Sequence, residues 1–434
     1  MSVAHATIES LSHEGRGIAR IDGKTVFIDG ALPGEEVTFR YLKRHGRFDE
    51  GAVVDIRSPS KDRVAPPCEY AGRCGGCSLQ HLAPEAQLRH KQEILLEQLR
   101  HGARAEPRAI LPPVSGPTLG YRRKARLSAK YVNERGRAVV GFREKHSRLI
   151  ADIGRCLVIH PKLGERISAL AGLVGAMQLR AAIPQIEIAV SEGDTALVVR
   201  HLHPVRDADA ELLRAFEREH DVRIYLQPGG DDSIHALTPG TQADLHYTLP
   251  GTGLRFRFDP THFTQVNFDV NAALVSRVME VLSPSATDTV LELFCGIGNF
   301  SLALAQHAGR VTGVEGDAGL VARARDNAAA NSIANVEFLR ANLTNPELEQ
   351  EFLRRGWHKV LLDPPRTGAR EILSRLDFGA TGTVAYVSCN PATLARDAGI
   401  LIREKGFSLA AAGVIDMFPH TAHVESIAVF DRAA

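Results

Sequence analysis

The sequence predicts a multidomain α/β protein. We expect an OB-like β-barrel at the amino terminus, a central α+β domain, and a Rossmann-like, doubly wound sheet at the carboxyl terminus. Three observations underlie this prediction: short alternating apolar runs fill the first 58 residues, three cysteines crowd together after them, and strand-like runs alternate with helical stretches from about Asp269 onward. A chain of 434 residues is long enough for two or three domains. We place them at residues 1–58, 59–262 and 263–434.

The composition is that of a soluble globular protein, with 44% apolar and 24% charged residues. No stretch reaches the roughly 18 uninterrupted apolar residues that a membrane helix needs. The first ten residues lack the basic and then apolar pattern of a signal peptide. We therefore expect a cytoplasmic monomer that does not associate with a membrane.

The amino-terminal region carries five short runs of alternating apolar residues. Asp22-Gly23 between two of them is a hairpin signal, and Leu32-Pro33-Gly34 is a turn. Five strands in under 60 residues suit a small barrel of the OB type, which often binds nucleic acid. The predicted strands are residues 6–11, 17–21, 25–28, 36–42 and 51–56.

Basic residues are concentrated in one stretch of the central domain. The net charge is only +1, but residues 121–148 contain ten basic and two acidic residues. A basic face attracts polyanions such as RNA. Charge alone favours an ordinary solvated surface equally well.

Three cysteines lie within ten residues, in the pattern Cys68-x5-Cys74-Gly-Gly-Cys77. In a cytoplasmic chain such a cluster indicates metal or iron–sulfur binding rather than disulfides. Cys156 is the spare cysteine outside the carboxyl-terminal domain that could be a fourth ligand. Zinc and a [4Fe–4S] cluster both accept four thiolates, and the x5 spacing favours iron–sulfur.

The carboxyl-terminal region has the rhythm of a doubly wound parallel sheet. Helices are predicted at residues 84–99, 204–220 and 270–282, the first two of them before this region. The last two apolar runs, 410–415 and 425–430, are expected to close the sheet as an edge hairpin. The predicted strands before that hairpin are residues 289–294, 310–314, 336–339, 359–362 and 383–387.

A glycine turn follows the first of these strands, in Phe294-Cys295-Gly296-Ile297-Gly298. Glycines there let the backbone approach a ligand at the carboxyl end of the sheet. Glu315 ends the next strand, 19 residues after Gly296, where an acid typically accepts the hydroxyls of a ribose. NAD-dependent enzymes share both features, so these residues alone do not identify the cofactor.

Two further motifs end the fourth and fifth strands. Asp363-Pro364-Pro365-Arg366 is a stiff loop with few free amides, of the kind that faces the target base in nucleobase methyltransferases. Cys389, in Ser388-Cys389-Asn390-Pro391, lies where a substrate binds. Its thiolate could add to C6 of a uracil and make C5 nucleophilic, after which a base must remove the C5 proton. Glu425 is the candidate base, with His420 and His423 as alternatives.

Together these motifs resemble those of the bacterial RNA uracil-C5 methyltransferases, over most of the chain. The resemblance implies that Cys389 is the nucleophile and Glu425 the base. It also implies binding of S-adenosylmethionine and of a [4Fe–4S] cluster. The matching segments are Gln265-Val266-Asn267, the Gly296 loop, 363–369 and 388–397; the implied cofactor residues are Gln265, Phe294, Asn299, Glu315, Asn342 and Asp363, and the implied cluster ligands are Cys68, Cys74, Cys77 and Cys156.

The branch of this family that modifies 23S ribosomal RNA is similar in having both an amino-terminal barrel, the TRAM domain, and the cluster. The resemblance to this branch implies that the barrel and the basic stretch bind 23S rRNA and that the target uridine is extruded into the site. A tRNA substrate is an alternative. Cytosine-C5 methylation is another, although it would usually need a cysteine in the 363–366 loop. A third is a non-catalytic iron–sulfur RNA-binding protein that senses redox state.

Overall fold

The computed structural model describes residues 3–432, apart from the side chain of Asp231. The outermost residues of the first and third predicted domains, 1–2 and 433–434, lie outside this range. Within it, three large sheets of six, six and eight strands follow one another, with a two-stranded ribbon between the last two. No helix of the described range is long and apolar enough to cross a membrane.

The amino-terminal sheet is closed by its first segment. The predicted strand 6–11 is two strands, because Ile8 donates its amide to Glu35 while Glu9 donates to Ile18, so the chain passes from one edge of the sheet to the other. Asp22 and Gly23 both have positive φ, as the predicted hairpin requires. The strands, in the order β1-β5-β6-β4-β3-β2, are β1 (Val3–Thr7), β2 (Ser10–Leu11), β3 (Gly17–Ile21), β4 (Lys24–Asp29), β5 (Glu36–Arg44) and β6 (Phe48–Ser58).

The central sheet is covered by two helices. Its strands are antiparallel except for residues 195–200 and 223–227, which pair in parallel and are connected by a helix. The sheet order is β13-β12-β11-β10-β8-β9. The elements of this part of the chain, of which α1 and β7 lie outside the sheet, are α1 (Pro84–Gln98), β7 (Ala109–Ile110), β8 (Lys124–Val132), β9 (Arg137–Gly141), α2 (Pro161–Gly164), α3 (Ile167–Ala176), β10 (Gln185–Val190), β11 (Thr195–Arg200), α4 (Asp207–His220), β12 (Arg223–Gln227) and β13 (His235–Ala236).

The carboxyl-terminal sheet confirms the predicted doubly wound architecture. Its five parallel strands run in the order β18-β17-β16-β19-β20, and β22 and β21 follow as antiparallel neighbours. The elements are β14 (His246–Thr248), β15 (Arg255–Arg257), α5 (Phe268–Leu282), β16 (Thr289–Leu293), α6 (Ser301–Ala305), β17 (Arg310–Glu315), α7 (Ala318–Ala330), β18 (Val336–Arg340), β19 (Lys359–Leu362), α8 (Arg370–Arg375), β20 (Thr383–Ser388), α9 (Pro391–Arg403), β21 (Phe407–Ile415) and β22 (Glu425–Arg432).

The predicted hairpin of β21 and β22 does not form the edge of this sheet. The short strand β7 pairs parallel with β21 at Ala411 and Ala412 and lies outside it. Leu95 and Leu99, in and just after α1, are buried in the same core as the carboxyl-terminal strands. Segments that precede the central sheet in sequence thus pack with the last domain, while the domain boundaries at 58/59 and 262/263 stay predictions.

Candidate active site and cysteine cluster

The loop after β16 is shaped to approach a ligand. Phe294 has a left-handed backbone (φ 66°), which is unusual for a bulky residue and often marks a functional site. Gly296 and Gly298 follow with φ of 54° and 88°. A Cβ on Gly298 would lie 3.1 Å from the ring of Phe338, whereas one on Gly296 would meet nothing within 4 Å. The second glycine therefore serves close packing and the first faces open space.

Glu315 faces this loop from the end of β17. Its carboxylate accepts hydrogen bonds from the amides of Gly296 (3.1 Å), Gly316 (2.6 Å) and Asp317 (3.0 Å). Three amide donors fix the carboxylate at the carboxyl edge of the sheet. That is the position from which an acid accepts ribose hydroxyls in a nucleotide-type cofactor.

Two of the other predicted cofactor residues follow strands of this sheet, and two precede helices. Asp363 follows β19 directly, next to β16 in the sheet, and Asn342 follows β18, where its oxygen accepts bonds from Thr344. Gln265 is buried ahead of α5. The amide of Asn299 is already used, as described next.

Asn299 belongs to a hydrogen-bonded network that sequence reasoning did not anticipate. Asn271 and Asn299 exchange two amide hydrogen bonds of 3.0 and 2.9 Å, and the hydroxyl of Tyr247 donates to the Asn299 oxygen at 2.8 Å. This network joins β14, α5 and the turn before α6. Asn299 therefore has a structural role here in addition to its predicted one.

The loop 363–369 and the turn after β20 are bonded together. The side-chain amide of Asn390 donates to the carbonyl of Arg366 at 3.1 Å, and its oxygen caps α9 through the amide of Ala392. The buried carboxylate of Asp397 accepts from the amide of Ala369 and the hydroxyl of Tyr386, both at 2.7 Å. The two motifs predicted from the sequence thus form one rigid unit.

Cys389 and Glu425 adjoin the last pair of two neighbouring strands. Strands β20 and β22 are antiparallel, and their last pair is Ser388 with Ser426. Cys389 follows Ser388 in a bend after β20, and Glu425 precedes Ser426 at the start of β22. The negative charge of Glu425 acts on the Cys389 thiol, so the predicted nucleophile and the predicted base lie near each other.

Burial makes this pair reluctant to ionise. Burial first, and then the negative charges of Glu425 and Asp363, raise the pKa of Cys389 to about 11, while Arg366 opposes the shift. Burial and then Asp363 raise the pKa of Glu425 to about 8, and Lys91 opposes that shift. Burial also raises the pKa of Asp363 to about 7. Such raised values at the end of a sheet are typical of a functional site.

The two alternative bases have other partners. His420 is bonded to Gln87 through its amide (2.8 Å) and its Nδ1 (3.3 Å). His423 packs edge-on against Phe418, and burial lowers its pKa to about 4.

Two buried charged residues near the site escaped the sequence analysis. Glu292 lies in the middle of β16, bonded to the hydroxyl of Ser301, and burial raises its pKa to about 8. Lys91 lies in α1 and is fully buried. A signal existed for the lysine, because Gln87, Lys91 and Leu95 follow each other at four-residue intervals on one helix face, so polar residues occupy an otherwise apolar stripe.

The four cysteines implied as cluster ligands surround one pocket. Cys68, Cys74, Cys77 and Cys156 all line it, together with aromatic and aliphatic side chains. Backbone amides point at the sulfurs, as that of Gly76 does toward Cys74 Sγ at 3.4 Å. In the described part of the chain, no group of three or more His, Cys, Asp or Glu side chains is arranged to hold a metal ion.

Part of the predicted basic stretch is paired with carboxylates of the same chain. Half of its ten basic residues form ion pairs: Lys124 and Arg126 with Glu187, Arg135 and Arg137 with Asp152, and Lys145 with Asp29. Arg122 and Arg123 lie over aromatic rings. Lys130, Arg143 and Arg148 are exposed. The surface charge offered to a polyanion is therefore smaller than the sequence count predicts.

Two families match parts of the chain. The profile of the tRNA (Uracil-5-)-methyltransferase family matches residues 242–433, and the TRAM domain matches residues 2–41. The first match begins before the predicted boundary at residue 263 and so includes the ribbon of β14 and β15.

Whole-chain relatives extend the similarity to all three domains. A 23S rRNA (uracil(1939)-C(5))-methyltransferase RlmD from Methylococcus capsulatus is 52% identical over 427 residues, which is 98% of this chain and 96% of that protein. The proteins of the same name from Nitrosococcus oceani and Acidithiobacillus ferrooxidans are 51% and 50% identical, each over 98% of this chain and 96% of its own length.

A solved structure has the same fold. The tRNA (uracil-54, C5)-methyltransferase of Pyrococcus abyssi, in complex with S-adenosyl-L-homocysteine, superimposes with a TM-score of 0.75. The match covers 98% of this chain and 100% of that one, at 23% sequence identity.

Proposed function

The chain belongs to the RlmD family of RNA uracil-C5 methyltransferases, and from that premise we propose that it transfers a methyl group from S-adenosylmethionine to C5 of one uridine in 23S rRNA, at the position that corresponds to uracil 1939. The observation that supports the mechanism is the nearness of Cys389 and Glu425 beside the last pair of β20 and β22.

The reaction requires a nucleophile and a base on the same side of the uracil ring. Cys389 adds to C6, and the electrons of the C5–C6 double bond move toward the C4 oxygen, which makes C5 nucleophilic. Bound S-adenosylmethionine supplies an electrophilic methyl group, which C5 accepts. Glu425 then removes the proton from C5, the bond between C6 and sulfur breaks, and Cys389 leaves as a thiolate.

The ionisation states of the site fit this sequence of events. At neutral pH Cys389 is a thiol, because its pKa lies near 11. It therefore becomes a nucleophile only in the complex, where a cationic sulfonium and Arg366 favour the thiolate. Glu425, with a pKa of about 8, needs only a small rise in pH to become the base.

The cofactor is expected to bind at the carboxyl edge of the sheet. Glu315 is fixed by three amides beside the Gly296 turn and is suited to the ribose hydroxyls. Phe294 begins that turn, Asp363 follows the neighbouring strand on the side of β20 and Cys389, and Gln265 is buried ahead of α5. Asn342 and Asn299 complete the set, with the Asn299 side chain shared with Tyr247 and Asn271.

The RNA is expected to lie across the amino-terminal barrel and the exposed basic residues of the central sheet. The target uridine must leave its stack, because the C6 face cannot be reached within it. A monomer and a cytoplasmic location stay predictions.

Release of tritium from RNA labelled at uridine C5 tests the reaction directly. We expect release in step with methyl incorporation, dependent on S-adenosylmethionine, from large-subunit ribosomal RNA and not from tRNA. Release from tRNA alone would support the same mechanism, with tRNA and not ribosomal RNA as the substrate. No release from either RNA with folded protein would rule out the uracil-C5 assignment.

We also propose that the four cysteines hold a [4Fe–4S] cluster. Each of its irons takes one thiolate, and four thiols line the common pocket. Burial, more than any other effect, raises the pKa of Cys74 and of Cys156, and that of Cys77 to about 12. Such buried thiols deprotonate only with a compensating cation, which a cluster provides. Because the methyl transfer is redox-neutral, the cluster serves structure or RNA contact.

Metal analysis of protein purified without oxygen tests the cluster. We expect iron and acid-labile sulfide in equal amounts, and loss of both in Cys77→Ser. Cys389→Ala is the matched control and keeps the full iron content, because Cys389 is absent from the cysteine pocket. Zinc without sulfide would contradict the cluster and assign the four thiolates to a zinc ion.

A further inference from the structure

Lys91 is a lysine with no exposed surface, and all of its polar contacts are with one loop. Its ammonium group donates to the carboxylate of Asp416 at 2.7 Å and to the carbonyl of Phe418 at 3.1 Å. Burying a lysine is unfavourable unless its ammonium group is paired with an opposite charge and hydrogen-bonded. The partner loop, residues 416–424, connects β21 to β22 and ends at Glu425.

The same loop is held at further points by the segments before it. Gln87, one turn before Lys91 in α1, accepts a bond from the amide of His420, a residue with a left-handed backbone (φ 66°). The hydroxyl of Tyr121 donates to the carbonyl of Pro419 at 3.0 Å. The amides of Ser78 and Leu79, directly after the cysteine cluster, both donate to the carbonyl of His420. This loop has a fixed shape imposed from outside its own domain.

The charges around Glu425 come from three elements. Asp363 at the end of β19 and Cys389 at the end of β20 are potential anions, and Lys91 in α1 is the cation that opposes them. Asp416 and His420 face Lys91 from the loop itself. The Lys91 charge favours the carboxylate form of Glu425, whereas Asp363 and burial favour the neutral acid.

We propose that Lys91 is a positioning residue for Glu425: its buried ammonium group fixes the loop at Asp416 and Phe418 so that Glu425 begins β22 near Cys389, and its charge keeps that carboxyl group available as a base. This inference rests on the proposed role of Glu425. Lys91 touches neither the substrate nor the cofactor site, so its effect is confined to the step in which the C5 proton is removed.

A simple structural ion pair must be distinguished from this role. Replacing Lys91 alone would leave the Asp416 carboxylate buried and unpaired, which is strongly destabilising. The double variant Lys91→Met with Asp416→Asn removes both charges at similar volume and leaves no buried unpaired charge. The matched control is Arg89→Met with Asp62→Asn, which removes an exposed ion pair made by the same helix.

The test follows tritium release against pH and the RNA–protein adduct on denaturing gels. Loss of an opposing charge raises the pKa of a nearby carboxyl group. In the double variant we expect tritium release at pH 7.5 to fall about two- to tenfold, where tenfold corresponds to a shift of one full unit, the alkaline rise to move to higher pH, and the methylated covalent adduct to accumulate. Michaelis constants for RNA and S-adenosylmethionine stay unchanged, and the control double variant of Arg89 and Asp62 keeps the wild-type profile.

A folded double variant with the wild-type pH profile and no adduct would overturn the proposal. If the double variant does not fold, Lys91→Gln with Asp416→Asn replaces it, because it carries no buried charge and keeps hydrogen-bonding groups at both positions, and the same two outcomes apply. Failure of the proposed function is separate: it shows as normal tritium release by Glu425→Gln, whatever the Lys91 variants do.

Discussion

We expect Cys389→Ala to lose methyl transfer and tritium release by at least about 10⁴-fold, a loss typical of removing a catalytic nucleophile. Without the thiol no bond to C6 can form, so C5 stays a poor nucleophile even with S-adenosylmethionine bound. The measurement is methyl incorporation into 23S rRNA alongside tritium release. Binding of RNA and of S-adenosyl-L-homocysteine should persist, because Cys389 is half-buried and its loss opens no core cavity.

The same variant separates the enzyme from the redox-sensor alternative. A sensor would lose nothing measurable with Cys389, whose thiol is absent from the cysteine pocket. Retained methyl transfer by a folded Cys389→Ala protein would show that the nucleophile is another group. An unchanged melting temperature is the control for folding.

Glu425→Gln should stop the reaction one step later. Glutamine keeps the shape but cannot accept the C5 proton, so we expect the methylated uridine to remain bonded to Cys389. Tritium release should fall by about 10²- to 10⁴-fold, the usual contribution of a general base. The adduct is detected as a protein band that carries RNA and methyl label after denaturation. The variant should fold well, because it removes a buried carboxyl group whose Oε2 has no hydrogen-bond partner.

The rate of tritium release by the wild-type enzyme is expected to increase with pH. Because Glu425 has a pKa raised to about 8, its basic form is scarce at pH 6 and predominates above pH 8. Tritium release limited by this step should therefore increase with pH through about 8, and the increase should vanish in Glu425→Gln. Trapping of the adduct by His423→Gln or His420→Gln instead would transfer the role of base to that histidine.

The local motifs of the site were predictable from the sequence because each lies at the carboxyl end of a single strand. The turn at Gly296, the acid Glu315 and the thiol Cys389 each follow an apolar run of strand length, and parallel strands end at a common edge. The Asp22-Gly23 hairpin was predictable for a similar reason, since only residues that tolerate positive φ fit there.

The relations between distant segments were not predictable in this way. Glu425 comes near Cys389 through the pairing of β20 with β22, and the nine-residue loop before β22 is bonded to Lys91 and Gln87 from another part of the chain. Half of the ten basic residues in the stretch share the three carboxylates of Asp29, Asp152 and Glu187, which no local pattern connects with them. Charge counts record composition, whereas pairing depends on the fold.

The position of β7 and α1 has a consequence for how the chain is made. During synthesis α1 and β7 leave the ribosome about 300 residues before β21, which is the separation of Arg108 and its partner Ser408. Until the last strands appear, Leu95 and Leu99 lack most of the core that buries them. Folding of the catalytic sheet therefore has to await the end of translation, and a fragment cut at the start of the matched methyltransferase region would leave β21 with an open edge prone to aggregation.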